Sequence, residues 1–128
     1  RVEWATFHSQ AFNKLKECLT SYPILRQPVL SRQYTIHTDA SCYALGAVLT
    51  QWEDGNDYAC AFISRSLNRH EINYGITEKE CLAVVFAVNK FKHYVYGCQF
   101  VEVTDNSSLK WLMWISEPAG RLARWTIC

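Results

Sequence analysis

The chain has 128 residues, of which 49% are hydrophobic and 14% aromatic, enough for one domain with a packed core. Its formal net charge is only +1. No overall basic field therefore marks a nucleic-acid partner, and any such contact must come from a local patch. No apolar run is long enough to span a bilayer, so we expect no membrane partner.

The six cysteines do not have the pattern of a disulfide framework or a zinc site. No CxxC pair and no Cys/His cluster with zinc spacing occurs. Cys18, Cys60 and Cys81 fall inside predicted helices or a strand, where small apolar residues commonly lie. We therefore expect reduced thiols and an intracellular protein.

The N-terminal part of the chain is predicted to form a helix and a connector. Apolar residues recur at helical spacing before Pro23, which ends this amphipathic helix. The connector that follows, residues 23–32, is predicted to be extended. We assign residues 1–33 to this N-terminal unit and residues 34–128 to one folded domain. The apolar positions are Trp4, Phe7, Ala11, Leu15 and Leu19.

Three strands, a long helix and a fourth strand are predicted next. β-Branched residues and an Asp-Gly turn indicate strands over residues 34–39, 44–52 and 58–66. The fourth strand covers residues 99–104. Two short helices are predicted to follow, over residues 106–114 and 121–127.

The long helix is predicted over residues 77–94. Thr77 and Glu80 have the spacing of a capping box, and an apolar stripe follows at helical spacing. Gly97 is placed to end the helix. Because Glu80 lies on the side of the stripe, its charge must be neutralised by a cap, a cation or a metal.

The order of these elements indicates a mixed α/β sheet. The crossover through the long helix favours a fourth strand parallel to the first. Asp39 and Asp105 follow these two strands and would emerge at the same carboxyl edge, where ligands of open α/β sheets bind. With Glu80 beside them, the three carboxylates would repel one another, and Mg²⁺ is the natural ion to resolve that repulsion.

Each of these acids also has a structural interpretation when it is taken alone. Asp39 is then a turn residue, Glu80 half of a capping box and Asp105 an N-cap. Convergence from three separate elements favours a metal site over three unrelated roles. Lys79 is the nearest basic residue in the sequence, and its helical position points elsewhere.

A polar segment before the long helix is a candidate nucleic-acid contact. Its cations and amides suit phosphate oxygens, although a solvated loop explains the same residues equally well. The candidate nucleic-acid-binding residues are Arg65, Asn68, Arg69, Asn73, Thr77 and Lys79.

Four long runs resemble the ribonuclease H region of Ty3/gypsy-type retrotransposon reverse transcriptases. They are TDASCYALGAVLTQ (38–51), FISRSLNRHEINYGITEKECLAVVFAVNKFKHYVYG (62–97), FVEVTDNSSLKWL (100–112) and GRLARW (120–125). Residues 11–25, AFNKLKECLTSYPIL, resemble the segment that joins the polymerase part of that family to its nuclease. The resemblance covers almost the whole chain, with the motifs in the family's order and spacing.

The resemblance implies a ribonuclease H-like fold, a mixed sheet with covering helices. It also implies that Asp39, Glu80 and Asp105 are the catalytic and metal-binding acids. The implied chemistry is two-metal hydrolysis of the RNA strand of an RNA–DNA hybrid, with two Mg²⁺ ions for which Mn²⁺ substitutes. The implied parent is a Pol polyprotein with RNA-directed DNA polymerase activity upstream and, as a further expectation, an integrase downstream. The implied locations are the cytoplasm, including virus-like particles, and the nucleus.

The family's fifth strand, last helix and fourth aspartate have no counterpart before Cys128. We therefore expect a C-terminally truncated domain with little or no nuclease activity by itself. The competing hypothesis is an inactive or domesticated relic that binds nucleic acid or protein. An integrase or transposase of similar fold is disfavoured because the acids occur in the order Asp, Glu, Asp.

Overall fold

The computed structural model describes residues 2–105, which form a four-stranded sheet and two long helices. The predicted helices over residues 106–114 and 121–127 lie outside the described residues. A single 3₁₀ turn, Glu71–Asn73, precedes the second helix. The elements are α1 (Thr6–Leu19), β1 (Tyr34–Ala40), β2 (Ala44–Glu53), β3 (Asn56–Ser66), α2 (Ile76–Val95) and β4 (Phe100–Val103).

The strands lie in the order β3-β2-β1-β4. β1 pairs antiparallel with β2 and parallel with β4, in a register that sets Tyr34 opposite Phe100 and His37 opposite Val103. The parallel pairing predicted from the helical crossover is confirmed. Within residues 2–105, β4 is an edge strand of the sheet.

The turn between β2 and β3 is tighter than the sequence analysis predicted. Glu53 pairs with Asn56, so only Asp54 and Gly55 form the loop. Both residues have positive φ, 49° and 86°, as a two-residue hairpin turn of the favoured twist requires. β3 therefore begins two residues before the predicted start at Tyr58.

The core lies between the sheet and α2. Ile36 and Leu49 of the sheet pack with Ala87 and Phe91 of the helix, and all four are almost completely buried. The small Ala87 side chain lets the helix approach the sheet closely. The amphipathic spacing of α2 therefore fixes which side of this helix meets the sheet.

The start of α2 corrects one prediction. Gly75, not Thr77, is the N-cap residue, and the backbone N–H of Gly75 donates a hydrogen bond to Oε2 of Glu78 at 2.9 Å. The helix begins earlier than predicted, so the acid at its third position is Glu78 and not Glu80. The predicted capping box is wrong, and Glu80 is not used by the cap. Gly97, with φ 75°, follows the end of the helix as predicted.

The predicted N-terminal helix is confirmed as α1, which ends at Leu19, four residues before Pro23. No described helix has the length and apolar character needed to cross a membrane. The five cysteines among the described residues are free thiols: Cys18, Cys42, Cys60, Cys81 and Cys98. The division of the chain at residue 33 stays a prediction.

Candidate metal centre

Asp39 and Asp105 reach the same edge of the sheet because their strands run parallel. The last pair of this register is His37 with Val103, and Asp39 and Asp105 each follow that pair by two residues. Both side chains are exposed. The register alone therefore sets these two carboxylates side by side at the carboxyl edge of β1 and β4.

Glu80 approaches the same edge from α2. This residue is only 4% exposed and lies on the side of the helix that faces the sheet, next to the buried Leu82 and Ala83. Glu78 satisfies the helix N-terminus in its place. Glu80 is therefore buried beside the edge of the sheet although it plays no part in capping the helix.

The three carboxylates converge in one small volume. One oxygen from each of Asp39, Glu80 and Asp105 lies within 4.8 Å of the other two. Oxygens on opposite sides of one Mg²⁺ stand about 4 Å apart, and two catalytic ions stand about 3.5–4 Å apart. The cluster therefore has the size that one or two divalent ions need.

The electrostatics of Glu80 favour a bound cation. Burial raises the pKa of its carboxyl, and the negative charges of Asp105 and Asp39 raise it further, against a smaller opposing effect of a backbone hydrogen bond at Ala40. Its Oε2 atom is buried and has no hydrogen-bond partner among the described residues. Such an orphaned oxygen fits a hard cation, because carboxylate oxygens are the ligands that Mg²⁺ and Mn²⁺ prefer.

A fourth acid, Glu102, was not singled out by the sequence analysis. It stands opposite Ile36 in the parallel register and accepts a hydrogen bond from Oγ1 of Thr38 at 2.8 Å. Its Oε2 is buried with no partner among the described residues, and burial raises the pKa of the carboxyl to about 7. Val101 and Val103, its neighbours in β4, are the more exposed side chains. The two valines of the FVEV run therefore face outward, and its glutamate is the more buried residue. The polarity of these residues predicts the reverse, so only the pairing of β4 with β1 reveals their orientation.

Arg65, one of the predicted nucleic-acid contacts, is engaged inside the protein. Its guanidinium donates two hydrogen bonds to Glu71, at 2.7 and 2.9 Å, and lies 5.3 Å from the ring centroid of Phe86. The hydrogen bond from Arg65 lowers the pKa of Glu71. The arginine thus fixes the loop between β3 and α2 to the side of that helix.

Two predicted amides shape the same loop. Oδ1 of Asn68 accepts hydrogen bonds from the backbone N–H groups of His70 and Glu71, and Nδ2 of Asn73 donates to the carbonyl of Arg69 at 3.1 Å. These are turn-forming contacts. The other three candidates differ in exposure, with Arg69 exposed and Thr77 and Lys79 half-buried. Nucleic-acid contact by any of the six residues stays a prediction.

Comparison with known sequences points to one family. Residues 4–102 match the family model described as the RNase H-like domain found in reverse transcriptase. The chain is 45% identical over 118 residues to the retrovirus-related Pol polyprotein from transposon 297 of Drosophila melanogaster, which covers 92% of this chain and 11% of that protein. It is 34% identical, in an alignment of 132 residues, to the transposon Tf2-3 polyprotein of Schizosaccharomyces pombe. That alignment covers 99% of this chain and 10% of that protein. The chain therefore spans about a tenth of the length of these curated relatives.

Comparison with solved structures gives the same fold. The foamy viral protease-reverse transcriptase dRH in complex with double-stranded DNA superposes with a TM-score of 0.75 at 15% identity, over 99% of this chain and 24% of that chain. The foamy viral protease-reverse transcriptase in complex with RNA/DNA hybrid superposes with a TM-score of 0.62 at 16% identity. The superposition covers 99% of this chain and 17% of that chain. At such identities the likeness shows the fold alone.

Proposed function

Because the chain belongs to the family of RNase H-like domains found in reverse transcriptases, we propose that it is the ribonuclease H module of a retrotransposon reverse transcriptase. In this role it hydrolyses the RNA strand of RNA–DNA hybrids within a Pol polyprotein that also carries an RNA-directed DNA polymerase. The observation that carries the proposal is the convergence of Asp39, Glu80 and Asp105 within 4.8 Å. These three carboxylates come from different parts of the fold. One of them, Glu80, is buried, and among the described residues neither a helix cap nor a basic side chain neutralises its charge.

Asp39, Glu80 and Asp105 would hold the divalent ions, with Mg²⁺ as the natural occupant and Mn²⁺ as its substitute. When bound, two such ions supply Lewis-acid activation of a water and stabilisation of the leaving 3′ oxygen. The exposed Asp39 and Asp105 lie where a phosphodiester can reach them, whereas the buried Glu80 supports the site from below. Carboxylates suit this task because they hold hard cations without offering a strong competing nucleophile.

The proposed substrate is the hybrid duplex and not a single strand. A larger protein, one part of which has the same fold, has been solved in complex with an RNA/DNA hybrid, which supports this choice. Selectivity for the hybrid would come from contacts to the 2′-hydroxyls of RNA and to the DNA backbone. Three of the six candidates would contact the hybrid directly, because no described side chain forms an ion pair with them: Arg69, Thr77 and Lys79. The other three would act by holding the loop in shape: Arg65, Asn68 and Asn73.

The proposed setting is a polyprotein with the polymerase part upstream and an integrase downstream. Relatives in which the aligned region is about a tenth of a longer polyprotein support the polyprotein part of this proposal. The proposed locations are the cytoplasm, including virus-like particles, and the nucleus.

The proposal is tested by a cleavage assay on labelled nucleic acids. The chain and its parent polyprotein are each incubated with an RNA–DNA hybrid, double-stranded DNA, double-stranded RNA and single-stranded RNA, with Mg²⁺, with Mn²⁺ and with a chelator. We expect the parent to cut only the RNA of the hybrid, only with a divalent ion, and the 128-residue chain to cut it more slowly. A parent that binds Mn²⁺ but leaves the hybrid intact would favour the relic hypothesis, a binding module without nuclease activity.

A further inference from the structure

A side-chain hydrogen bond joins the two strands that lead to Asp39 and Asp105. Oγ1 of Thr38 in β1 donates to Oε1 of Glu102 in β4 at 2.8 Å. Thr38 immediately precedes Asp39, and Glu102 comes three residues before Asp105. The bond therefore connects the immediate surroundings of two of the three acids that form the candidate metal centre.

The backbone of the sheet holds these two acids unequally. Asp39 lies within β1 and pairs with Gly46 of β2. Asp105 lies two residues beyond the end of β4, a strand of four residues that pairs with β1 and, among the described residues, with no other strand. The last backbone pair between β1 and β4 is His37 with Val103. The position of Asp105 relative to Asp39 therefore depends on how firmly the end of β4 is held against β1.

The bond between Thr38 and Glu102 acts at that end of the strand. Glu102 stands opposite Ile36 in the parallel register, and Thr38 follows Ile36 on the same side of the sheet, two residues nearer to the carboxyl edge. The Glu102 side chain therefore extends diagonally towards this edge to reach the hydroxyl. Thr38 is only 7% exposed, so water competes little for the bond. Such a buried diagonal bond restrains movement of β4 where the backbone pairing stops.

Stability alone does not explain a glutamate at position 102. Its neighbours on this side of the sheet are apolar, because Ile36 belongs to the core and Phe100 packs against it. Burial of a carboxyl group is unfavourable there, and Oε2 of Glu102 has no hydrogen-bond partner among the described residues. An apolar side chain of similar volume would fill the same space at a lower cost. The property that distinguishes glutamate at this position is therefore its acceptor for the Thr38 hydroxyl.

We propose that Glu102 is a positioning residue for the metal centre: it holds the Thr38 hydroxyl, fixes the end of β4 against β1 and thereby keeps Asp105 close enough to Asp39 to share a divalent ion. The inference rests on the proposed function, because it concerns the same site. Glu102 is not one of the three acids whose oxygens lie within 4.8 Å of one another, so it acts through Thr38 and β4. A displaced β4 would lengthen that separation beyond the span of a bound ion, about 4 Å for oxygens on opposite sides of Mg²⁺.

The test is a Mn²⁺ titration of the 128-residue chain, with free Mn²⁺ measured by electron paramagnetic resonance. Thr38→Val removes the donor and Glu102→Leu removes the acceptor. We expect each to raise the Kd for Mn²⁺ about 10-fold, the usual effect of losing a group that orients a metal ligand. The double variant should bind no more weakly than either single variant, because both changes break the same bond. Thr38→Ser keeps the donor and Glu102→Gln keeps the acceptor, so both should bind like the wild type.

Two controls separate positioning from general stability. The double variant replaces a polar pair with two apolar side chains in an apolar setting, so with a chelator present it should resist urea at least as well as the wild type. Weak Mn²⁺ binding by a chain of undiminished stability is a result that a purely structural role of Glu102 would not produce. Thr35→Val makes the same substitution on the other side of β1 and should leave Mn²⁺ binding unchanged.

The outcomes distinguish this proposal from the proposed function. A double variant that binds Mn²⁺ as tightly as the wild type would overturn the positioning role. Weak binding by Glu102→Gln would also overturn it, because the effect would then come from the charge of Glu102 and not from its hydrogen bond. A parent polyprotein that leaves the hybrid intact, with Mn²⁺ binding that depends on this bond, would contradict the nuclease proposal only. Hybrid cleavage together with unaltered Mn²⁺ binding in every variant would contradict the positioning proposal only.

Discussion

Glu80 is a buried acid whose surroundings favour its neutral form unless a cation is bound. Burial and the charges of Asp105 and Asp39 raise its pKa, so its ionised form destabilises the metal-free fold as the pH rises through that pKa. A divalent ion at the cluster reverses this effect, because attraction to the cation replaces repulsion among the acids. The same residue is thus unfavourable for the metal-free fold and favourable for the metal-bound one.

This reversal predicts the behaviour of Glu80→Gln. At pH 7.5 the variant should unfold at a higher temperature than the wild type in the presence of a chelator, because a neutral amide removes the repulsion. It should also lose the stabilisation by Mn²⁺, which for the wild type reaches about 2.7 kcal/mol at a concentration 100 times Kd. Differential scanning calorimetry with and without Mn²⁺ measures both effects.

The matched control is Glu78→Gln on the same helix. A glutamine at this position keeps the hydrogen bond from the Gly75 N–H, so the cap and the response to Mn²⁺ should both survive. A wild-type response to Mn²⁺ in Glu80→Gln would contradict the assignment of Glu80 as a ligand.

Glu102 gives a separate prediction about pH. Its pKa in the folded protein is raised to about 7 from the model-peptide value of 4.5, so the folded state holds this proton more tightly than the unfolded state does. Its contribution to stability is therefore complete below pH 4.5 and is lost as the pH rises towards 7. Over this window, the free energy of unfolding of the wild type should fall by about 1–3 kcal/mol relative to Glu102→Gln.

Urea unfolding at half-unit pH steps measures this difference. Glu102→Gln keeps an acceptor for the Thr38 hydroxyl, so its loss of pH dependence would come from the missing titration and not from a missing hydrogen bond. Glu17→Gln, at an exposed position of α1, is the control and should leave the pH dependence unchanged. Parallel curves for the wild type and Glu102→Gln would show that Glu102 titrates normally.

At the scale of the elements, the loop between β3 and α2 depends on the pair of Arg65 and Glu71. Double-mutant analysis with Arg65→Ala and Glu71→Ala should give a coupling free energy of about 1 kcal/mol, because the pair is bidentate but partly exposed. The pKa of Glu71 is lowered, so this stabilisation should disappear as the pH falls from 4.5 through the folded pKa. Additive effects at pH 7 would mean that the two side chains do not act together.

The attachment of the connector depends on Gln51. Replacing it with leucine removes the three hydrogen bonds that Gln51 makes to the backbone of Val29 and Arg32 and places an apolar side chain against these polar groups. We expect Gln51→Leu to lower the free energy of unfolding by about 2–4 kcal/mol and to speed proteolysis between residues 20 and 32. Gln33→Leu, at an exposed position, is the control and should change stability little. Urea unfolding and limited trypsin digestion measure the two effects.

Local patterns predicted the elements well where spacing decides the structure. The apolar periodicity of α1 and α2 and the β-branched runs of β1 to β3 identify each element, and the crossover through α2 predicts the parallel pairing of β1 with β4. The errors are at ends, where a single turn or cap decides. The two-residue turn at Asp54 and Gly55 and the cap at Gly75 each shifted a boundary.

The site was predictable to the extent that topology determines it. Parallel strands bring Asp39 and Asp105 together, and helical spacing places Glu80 towards them. The burial of Glu102 and the engagement of Arg65 were not predictable, because each depends on a partner set by the folded chain: Ile36 across the sheet in one case, and Glu71 across a loop in the other. Periodicity states which side a residue occupies, but not which side chain it meets.

At the scale of the whole molecule, two surfaces differ in character within the described part of the chain. The carboxyl edge of β1 and β4 gathers acids that suit divalent ions, whereas α1 leaves large apolar side chains exposed. The proposed nuclease function depends on the first of these surfaces.

The most direct test of the central claim is hybrid cleavage by the Asp105→Asn variant of the parent polyprotein, compared with Asp54→Asn as the control. Asp54 lies in the hairpin turn, where asparagine tolerates the positive φ equally well. We predict that Asp105→Asn folds normally and cuts the RNA strand at least about 100-fold more slowly, since the loss of a metal ligand removes interactions made in the transition state. The control should cut at the wild-type rate. A folded Asp105→Asn variant that cuts as fast as the wild type would contradict the account.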